Sequence, residues 1–246
     1  MSAPTEELRF VELAGCRTAA VFHHAEPESR RVVVMAHGFK SSKIGPSRYF
    51  VDLARALAER GVSTFRFDQP GSGDAERAFE ESSFTTWIDT IEHAVRMHVE
   101  AGAAVALLGQ SMGGRAALAA AVRLGDTLRG LALWSPGPML NVDFSLMTGQ
   151  WMEEDGQRVR WDFWREAAQI DFLDLYHRLS VPADIVFGTA DHLIPVDEMR
   201  AVAVECKPGD RIRLIEGLPH SAWPEPPRFE ILRETADTLV SWLADA

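Results

Sequence analysis

Cysteine is scarce in this 246-residue sequence. Its two examples, Cys16 and Cys206, cannot build a disulfide framework, and neither has the Cys-x-x-Cys spacing of a metal or redox site. Basic residues are also short, 25 against 36 acidic ones, for a formal charge of −11. Such a surface repels polyanions and excludes nucleic acid as the expected partner. No apolar run approaches the roughly 18 residues that a membrane span needs. The first ten residues are acidic and hold no apolar core, so no signal peptide and a cytoplasmic location are expected. Histidines and aspartates do not cluster at ligand spacing, so no metal is expected; no organic cofactor is expected either. With repeats and low-complexity tracts also missing, what is there is an ordinary globular composition, 46% hydrophobic and 25% charged. The length suits one or two domains.

Around Gly15, LRFVEL and RTAAVF alternate apolar and polar residues and predict an antiparallel hairpin. From Arg31 the character changes. RVVVMA is an almost unbroken apolar run, as expected of a strand buried on both faces, and VSTFRF, AAVALLG, LRGLALW, ADIVFG and RIRLIEG follow as short strand candidates. Helical periods separate them. Phe50, Leu53, Ala54 and Leu57 mark one, with Ser47 as its N-cap and Gly61 past its end. Phe84, Trp87, Ile88, Ile91 and Val95 mark the next, capped by Ser82 or Ser83, and Ile231, Leu232, Leu239 and Trp242 mark the last. Alternation of this kind predicts an α/β fold with a mostly parallel central sheet flanked by helices. Residues 136–180 interrupt it. They show no clear strand but hold Phe144, Trp151, Trp161, Phe163, Trp164, Phe172 and Tyr176, which predicts a short helical cap insertion.

The strongest local signal is Gly109-Gln110-Ser111-Met112-Gly113, between the strand AAVALL and the helix RAALAAAVRL. A turn this sharp holds its serine in a strained conformation, and flanking glycines are needed where a Cβ would clash. The serine hydroxyl emerges at the carboxyl end of the sheet, where ligands bind in such folds. A serine needs a base and the base a carboxylate. Of eight histidines, His220 stands apart. It follows RIRLIEG in the loop LPHSAWPEPP, whose prolines oppose helix formation. Asp191, after ADIVFG in GTADHLIP, is the expected acid. Asp197 is the fallback, and His192 competes as base but adjoins the acid too closely to bridge it to a distant serine.

Ser111, Asp191 and His220, each on a loop after a strand and in that order, resemble the α/β-hydrolase superfamily over essentially the whole chain. The His37-Gly38-Phe39 turn after RVVVMA and the Phe67-Asp68-Gln69-Pro70-Gly71-Ser72-Gly73-Asp74 turn extend the likeness. It is greatest to the compact capped esterase branch of cinnamoyl and feruloyl esterases and monoacylglycerol-lipase-like enzymes. The resemblance implies backbone N–H groups of Phe39 and Met112 as an oxyanion hole, His37 as a brace for its turn, and structural roles for Asp68 and the neighbouring glycines. Gln110 departs from the histidine common before the nucleophile. Arg115 stands where a small or apolar residue is usual, with Asp68 as a partner or an anionic substrate as its alternative ligand.

The expected protein is thus one domain over residues 1–246, with a cap at 136–180, that cleaves a carboxylic ester of a medium-sized apolar or aromatic acyl group. Met139, Trp151, Trp164 and Trp223 are the candidate substrate contacts, and Lys40, Lys43 and Arg48 a solvated loop or an anion contact. The expected partner is a small-molecule ester or thioester, with a homodimer left open. A thioesterase or acyl-cyclising enzyme, an amidase or peptidase, a lyase or C–C bond hydrolase, and a non-catalytic ligand receptor are the rivals.

Overall fold

The computed structural model describes residues 5–25, 29–137, 149–154 and 156–244. The expected hairpin forms from β1 (Thr5–Leu13) and β2 (Cys16–His24), turning at Ala14 and Gly15 with φ of 47° and 74°. The apolar runs become β3 (Arg31–Ala36), β4 (Ser63–Phe67), β5 (Ala104–Gln110) and β6 (Leu128–Trp134). After an insertion come β9 (Ala183–Gly188) and β10 (Arg211–Ile215). These eight strands make one sheet in the order β1-β2-β4-β3-β5-β6-β9-β10. Pairing is antiparallel from β1 through β2 to β4 and parallel from β4 to β10.

Both faces of the sheet are covered, which is why its central strands are apolar without alternation. Val32, Val34 and Ala36 of β3 share a core with Trp87 and Ile91 of α2 (Phe84–Glu100) and Leu118 of α3 (Met112–Leu124). Val33 and Met35 point the other way, into a core with Leu53 and Leu57 of α1 (Tyr49–Ala58) and Ile231 and Leu239 of α7 (Pro227–Trp242). Each such fully buried aliphatic chain contributes about 1.5–3 kcal/mol. The topology sets the site. From β3 the chain crosses to β4 on one side, then returns to β5 on the other. The connections after β3 and β5 therefore diverge, and the crevice between them at the carboxyl edge is where open α/β sheets receive ligands.

Two local expectations change. Ser47 does not cap α1; it lies in a 3-10 turn, Pro46–Arg48, and the left-handed Arg48 precedes the helix with no side-chain cap. Ser83, by contrast, caps α2 in a reciprocal pair with Thr86. The insertion is not free of strands either. β7 (Trp151–Glu154) and β8 (Gln157–Arg160) pair antiparallel, Met152 opposite Val159, around Gly156 at φ 77°. Four-residue strands rich in charge are too short to show a period, so the hairpin escapes a pattern search. Two short helices follow, α4 (Trp161–Ala168) and α5 (Phe172–Arg178). α6 (Val196–Val204) links β9 to β10.

The insertion is fastened by rings. Phe163 of α4 is wholly buried, its centroid 5.3–5.5 Å from Phe79, Phe84, Trp87 and Trp164. Truncating it empties space that rigid aromatic neighbours cannot refill. Phe163→Ala should lower unfolding free energy by about 3–5 kcal/mol in guanidinium titration, and a loss under about 1 kcal/mol would contradict this packing.

Candidate active site

Ser111 sits between the end of β5 and the start of α3 with φ 53° and ψ −126°, a conformation that costs about 1–3 kcal/mol in a residue with a Cβ. The bend needs the flanking glycines. A Cβ on Gly109 would lie 2.7 Å from the Ala117 methyl, and one on Gly113 only 2.1 Å from the His37 carbonyl oxygen. The same crowding brings the turn after β3 against the serine, since a Cβ on Gly38 would stand 2.9 Å from Ser111 Cβ.

The loops after β9 and β10 are joined to each other. Thr189 N–H donates to Ile215, Ala190 N–H to Leu218, and Gly217 N–H to the Thr189 hydroxyl. Gly188 has no room for a Cβ beside the Leu218 carbonyl, 2.1 Å away. This pairing sets Asp191 next to His220. His220 Nδ1 lies 2.6 Å from Asp191 Oδ2, and His220 Nε2 lies 2.9 Å from Ser111 Oγ. Asp191 can only accept here, and its other oxygen takes the N–H groups of Leu193 and Ile194. Nδ1 is therefore the protonated nitrogen, which leaves Nε2 to accept the serine hydroxyl. All three expected residues meet in one hydrogen-bonded line.

Met112 follows Ser111 in the chain, and Phe39 follows Gly38, where a Cβ would lie 2.9 Å from Ser111 Cβ. Met112 opens α3, so its N–H is among the helix donors that have no intrahelical acceptor. His37 braces the opposite side. Its Nδ1–H donates to the Gly38 carbonyl and its Nε2 accepts the Gln69 N–H, at 2.8 and 2.9 Å. Burial lowers its pKa to about 4, so the ring stays neutral and keeps that acceptor. Asp68 is wholly buried and accepts from Lys43 N–H and Nζ and from Asp74 N–H. Lys43 is thus part of a clamp, with its side chain 11% exposed, rather than a solvated or anion-greeting residue. Arg48 is exposed, and the Lys40 ammonium lies 5.5 Å from the Phe39 ring centre. The pairing of Arg115 with Asp68 does not occur; backbone carbonyls take its donors instead.

Of the expected substrate contacts, Trp164 lies on α4. It is partly exposed, with its ring 5.0 Å from Phe39. Trp151, 40% exposed on β7, lies beneath Arg160 at the outer hairpin. Trp223 is in the core, stacked on Tyr49 at 4.6 Å and edge-on to Trp134, so packing rather than substrate contact explains it. Met139 lies outside the described residues, as does Phe144. Sequence reasoning passed over Phe79, whose ring packs edge-on to Phe39 at 5.1 Å; its place just after the Asp68 turn was the available signal. Among the described residues, no group of three or more His, Cys, Asp or Glu is arranged to hold a metal ion, and no helix is long and apolar enough to cross a membrane.

The model of the Hydrolase_4 family, described as serine aminopeptidase, S33, matches residues 27–154, more than half of the chain. The chain belongs to this hydrolase family. No curated protein matches its sequence at a significant level. Among solved structures it is similar to Est1E from Butyrivibrio proteoclasticus with ferulic acid bound, at 20% identity and TM-score 0.84 over 96% of this chain and 99% of that one. It is also similar to a monoacylglycerol lipase from Paleococcus ferrophilus, at 19% identity and TM-score 0.75 over 92% and 99% of the two chains. A thioesterase domain from the curacin biosynthetic pathway aligns at 15% identity and TM-score 0.69 over 96% and 99%. The fold is that of the α/β hydrolases.

Neutral buried histidines make stability sensitive to acid. An unfolded histidine takes its proton near pH 6.5, whereas His37 and His98 are both lowered to about 4 in the fold by burial. Between those values the unfolded state binds more protons, so stability is present above about pH 6.5 and is lost as pH falls toward 4. His98 lies against Phe22 and Phe65, with Nε2 buried and unpartnered among the described residues. His98→Leu should therefore flatten the decline of the unfolding midpoint over that window; curves parallel to the wild type would contradict the assignment.

Proposed function

We propose that this hydrolase cleaves carboxylic esters of medium-sized apolar or aromatic acids through an acyl-enzyme on Ser111. The observation that carries the reading is the unbroken line from Asp191 through His220 to the Ser111 hydroxyl, at 2.6 and 2.9 Å. Ser111 Oγ attacks the acyl carbon while its proton passes to His220 Nε2. Asp191 holds the ring and stabilises the imidazolium. Negative charge gathers on the former carbonyl oxygen and is met by the N–H groups of Phe39 and Met112, helped by the positive end of α3. Collapse expels the alcohol, which takes the proton from Nε2. Water then attacks the acyl-serine, giving its proton to the same nitrogen, and the acid leaves as Ser111 recovers its hydrogen. The chemistry requires only these residues and water.

The acyl group is assigned from what flanks the serine. Phe39 and Trp164 offer partly exposed rings, backed by the buried Phe79 and Phe163. Such a wall suits an apolar chain or aryl ring. Residues 136–180 act as a cap over this site within one domain. Thioesters and amides would use the same machinery, and they differ on the leaving-group side.

A fluorophosphonate probe should label the protein at Ser111 and fail on Ser111→Ala. On a chromogenic ester, Ser111→Ala or His220→Ala should each cost at least about 10³-fold in kcat, and Asp191→Asn about 10³–10⁴-fold. A wild-type protein that resists the probe would sink the reading. Comparing oxygen esters, thioesters and anilides of one acid identifies the preferred bond.

A further inference from the structure

Arg115 is among the largest side chains buried in this protein, 1% exposed, and none of the steps above uses it. It lies one turn into α3, directly behind Ser111. A guanidinium is costly to bury unless its donors find acceptors. Here Nε donates to the Ala167 carbonyl at 3.0 Å, one terminal nitrogen to the Gly137 carbonyl at 2.6 Å, and the other to the Ile170 carbonyl. Ala167 and Ile170 lie in and just beyond the last turn of α4, whose carbonyls carry the negative end of the helix dipole. Gly137 lies on the chain leaving β6. Arg115 therefore closes the C-terminus of α4 from another helix and fastens that end of α4 and the start of the insertion to the helix behind the nucleophile. Burial lowers its pKa to about 10, so it remains charged at neutral pH.

What α4 carries makes this more than an anchor. Phe163 and Trp164 face Phe39, with centroids 6.1 and 5.0 Å apart, and these rings form the wall assigned to the acyl group. Arg115 thus ties α3, which begins directly after Ser111, to α4, which carries those rings. We propose that Arg115 is a positioning residue that fixes the depth of the acyl site, and so determines which acyl lengths the enzyme accepts. The inference rests on the acyl-enzyme reading and adds its specificity. An arginine is suited to the task, because its planar fork reaches several carbonyls from one rigid stem, whereas a lysine offers a single point charge.

The test compares Arg115→Lys and Arg115→Met with wild type on p-nitrophenyl esters from acetate to dodecanoate, and on the cinnamate ester. An acetyl group is too short to need α4. Both variants should keep the fluorophosphonate labelling rate and the kcat/KM for acetate within about threefold, while kcat/KM for the longer and aryl esters falls about tenfold or more, chiefly through KM. Arg115→Lys should be the milder and gives the comparison if Arg115→Met does not fold. An unchanged acyl profile, or one factor of loss shared by every ester including acetate, would overturn the proposal. Hydrogen exchange gives a readout without turnover: α4 amides should exchange about tenfold faster in the variants while those of α2 stay protected. Equal exchange in α4 would also overturn it. Absence of probe labelling in the wild type strikes the Ser111 reading instead, and the exchange comparison still decides whether Arg115 holds α4.

Discussion

A single backbone contact governs the site: the first turn of α3 against the turn after β3. At Gly113 there is no room for a methyl group, because the His37 carbonyl oxygen would be 2.1 Å away. Bringing two main chains this close forces the sharp bend at Ser111 and its left-handed φ of 53°. The strain, about 1–3 kcal/mol, is small beside the apolar burial on the two faces of the sheet that hold β3 and β5 in register. It is also what the chemistry wants. In the proposed mechanism the backbone N–H groups beside the serine are fixed before charge develops, so no reorganisation is needed.

Around that contact, charge does what apolar packing cannot. Loops at the carboxyl edge expose backbone polar groups and hold few apolar side chains, so the hydrophobic effect fixes them weakly. Asp68 gathers Lys43 and Asp74 and draws the segment after the His37–Phe39 turn onto the turn after β4. The desolvated Lys43 ammonium is nonetheless stabilised by both carboxylates, and its pKa lies above the ordinary value. Arg115 performs the corresponding task for the insertion. Buried charges of this kind add little net stability, but a lone partner left behind is expensive, which makes the arrangement hard to deform. His37 achieves the same with a neutral ring, donating at one nitrogen and accepting at the other.

The sheet and the three residues that the proposed mechanism uses were legible because each leaves a local mark. Strands buried on both faces read as unbroken apolar runs, and a strained elbow demands small residues at fixed offsets. Asp191 and His220 each follow a strand directly, so locating the strands located them. The rest depended on long-range contacts that sequence spacing does not encode. Trp223, three residues after His220, reads as a substrate contact, yet it turns inward to Tyr49 and Trp134. Lys43 reads as solvated until Asp68, 25 residues on, is folded beneath it. The partners of Arg115, 22 to 55 positions away, are carbonyls, which every residue possesses and no pattern can single out. The β7–β8 hairpin fails for another reason: its strands are shorter than the period that would reveal them.

The division between chemistry and specificity follows from the same geometry. The family match ends at residue 154, before Asp191 and His220, yet the sheet aligns with solved hydrolases nearly end to end at about 20% identity. A parallel sheet needs only apolar side chains of roughly the right size, so many sequences build it and the backbone at its carboxyl edge recurs. The acyl wall is different. Phe39 belongs to the turn after β3, whereas Phe163 and Trp164 belong to the insertion, and their spacing depends on how the insertion is fastened. An elbow can therefore persist while the wall opposite it moves, and a neighbour's ligand says little about this chain's own. On the proposed reading, substrate choice is decided where α4 meets Phe39, by rings that the sheet alone does not position.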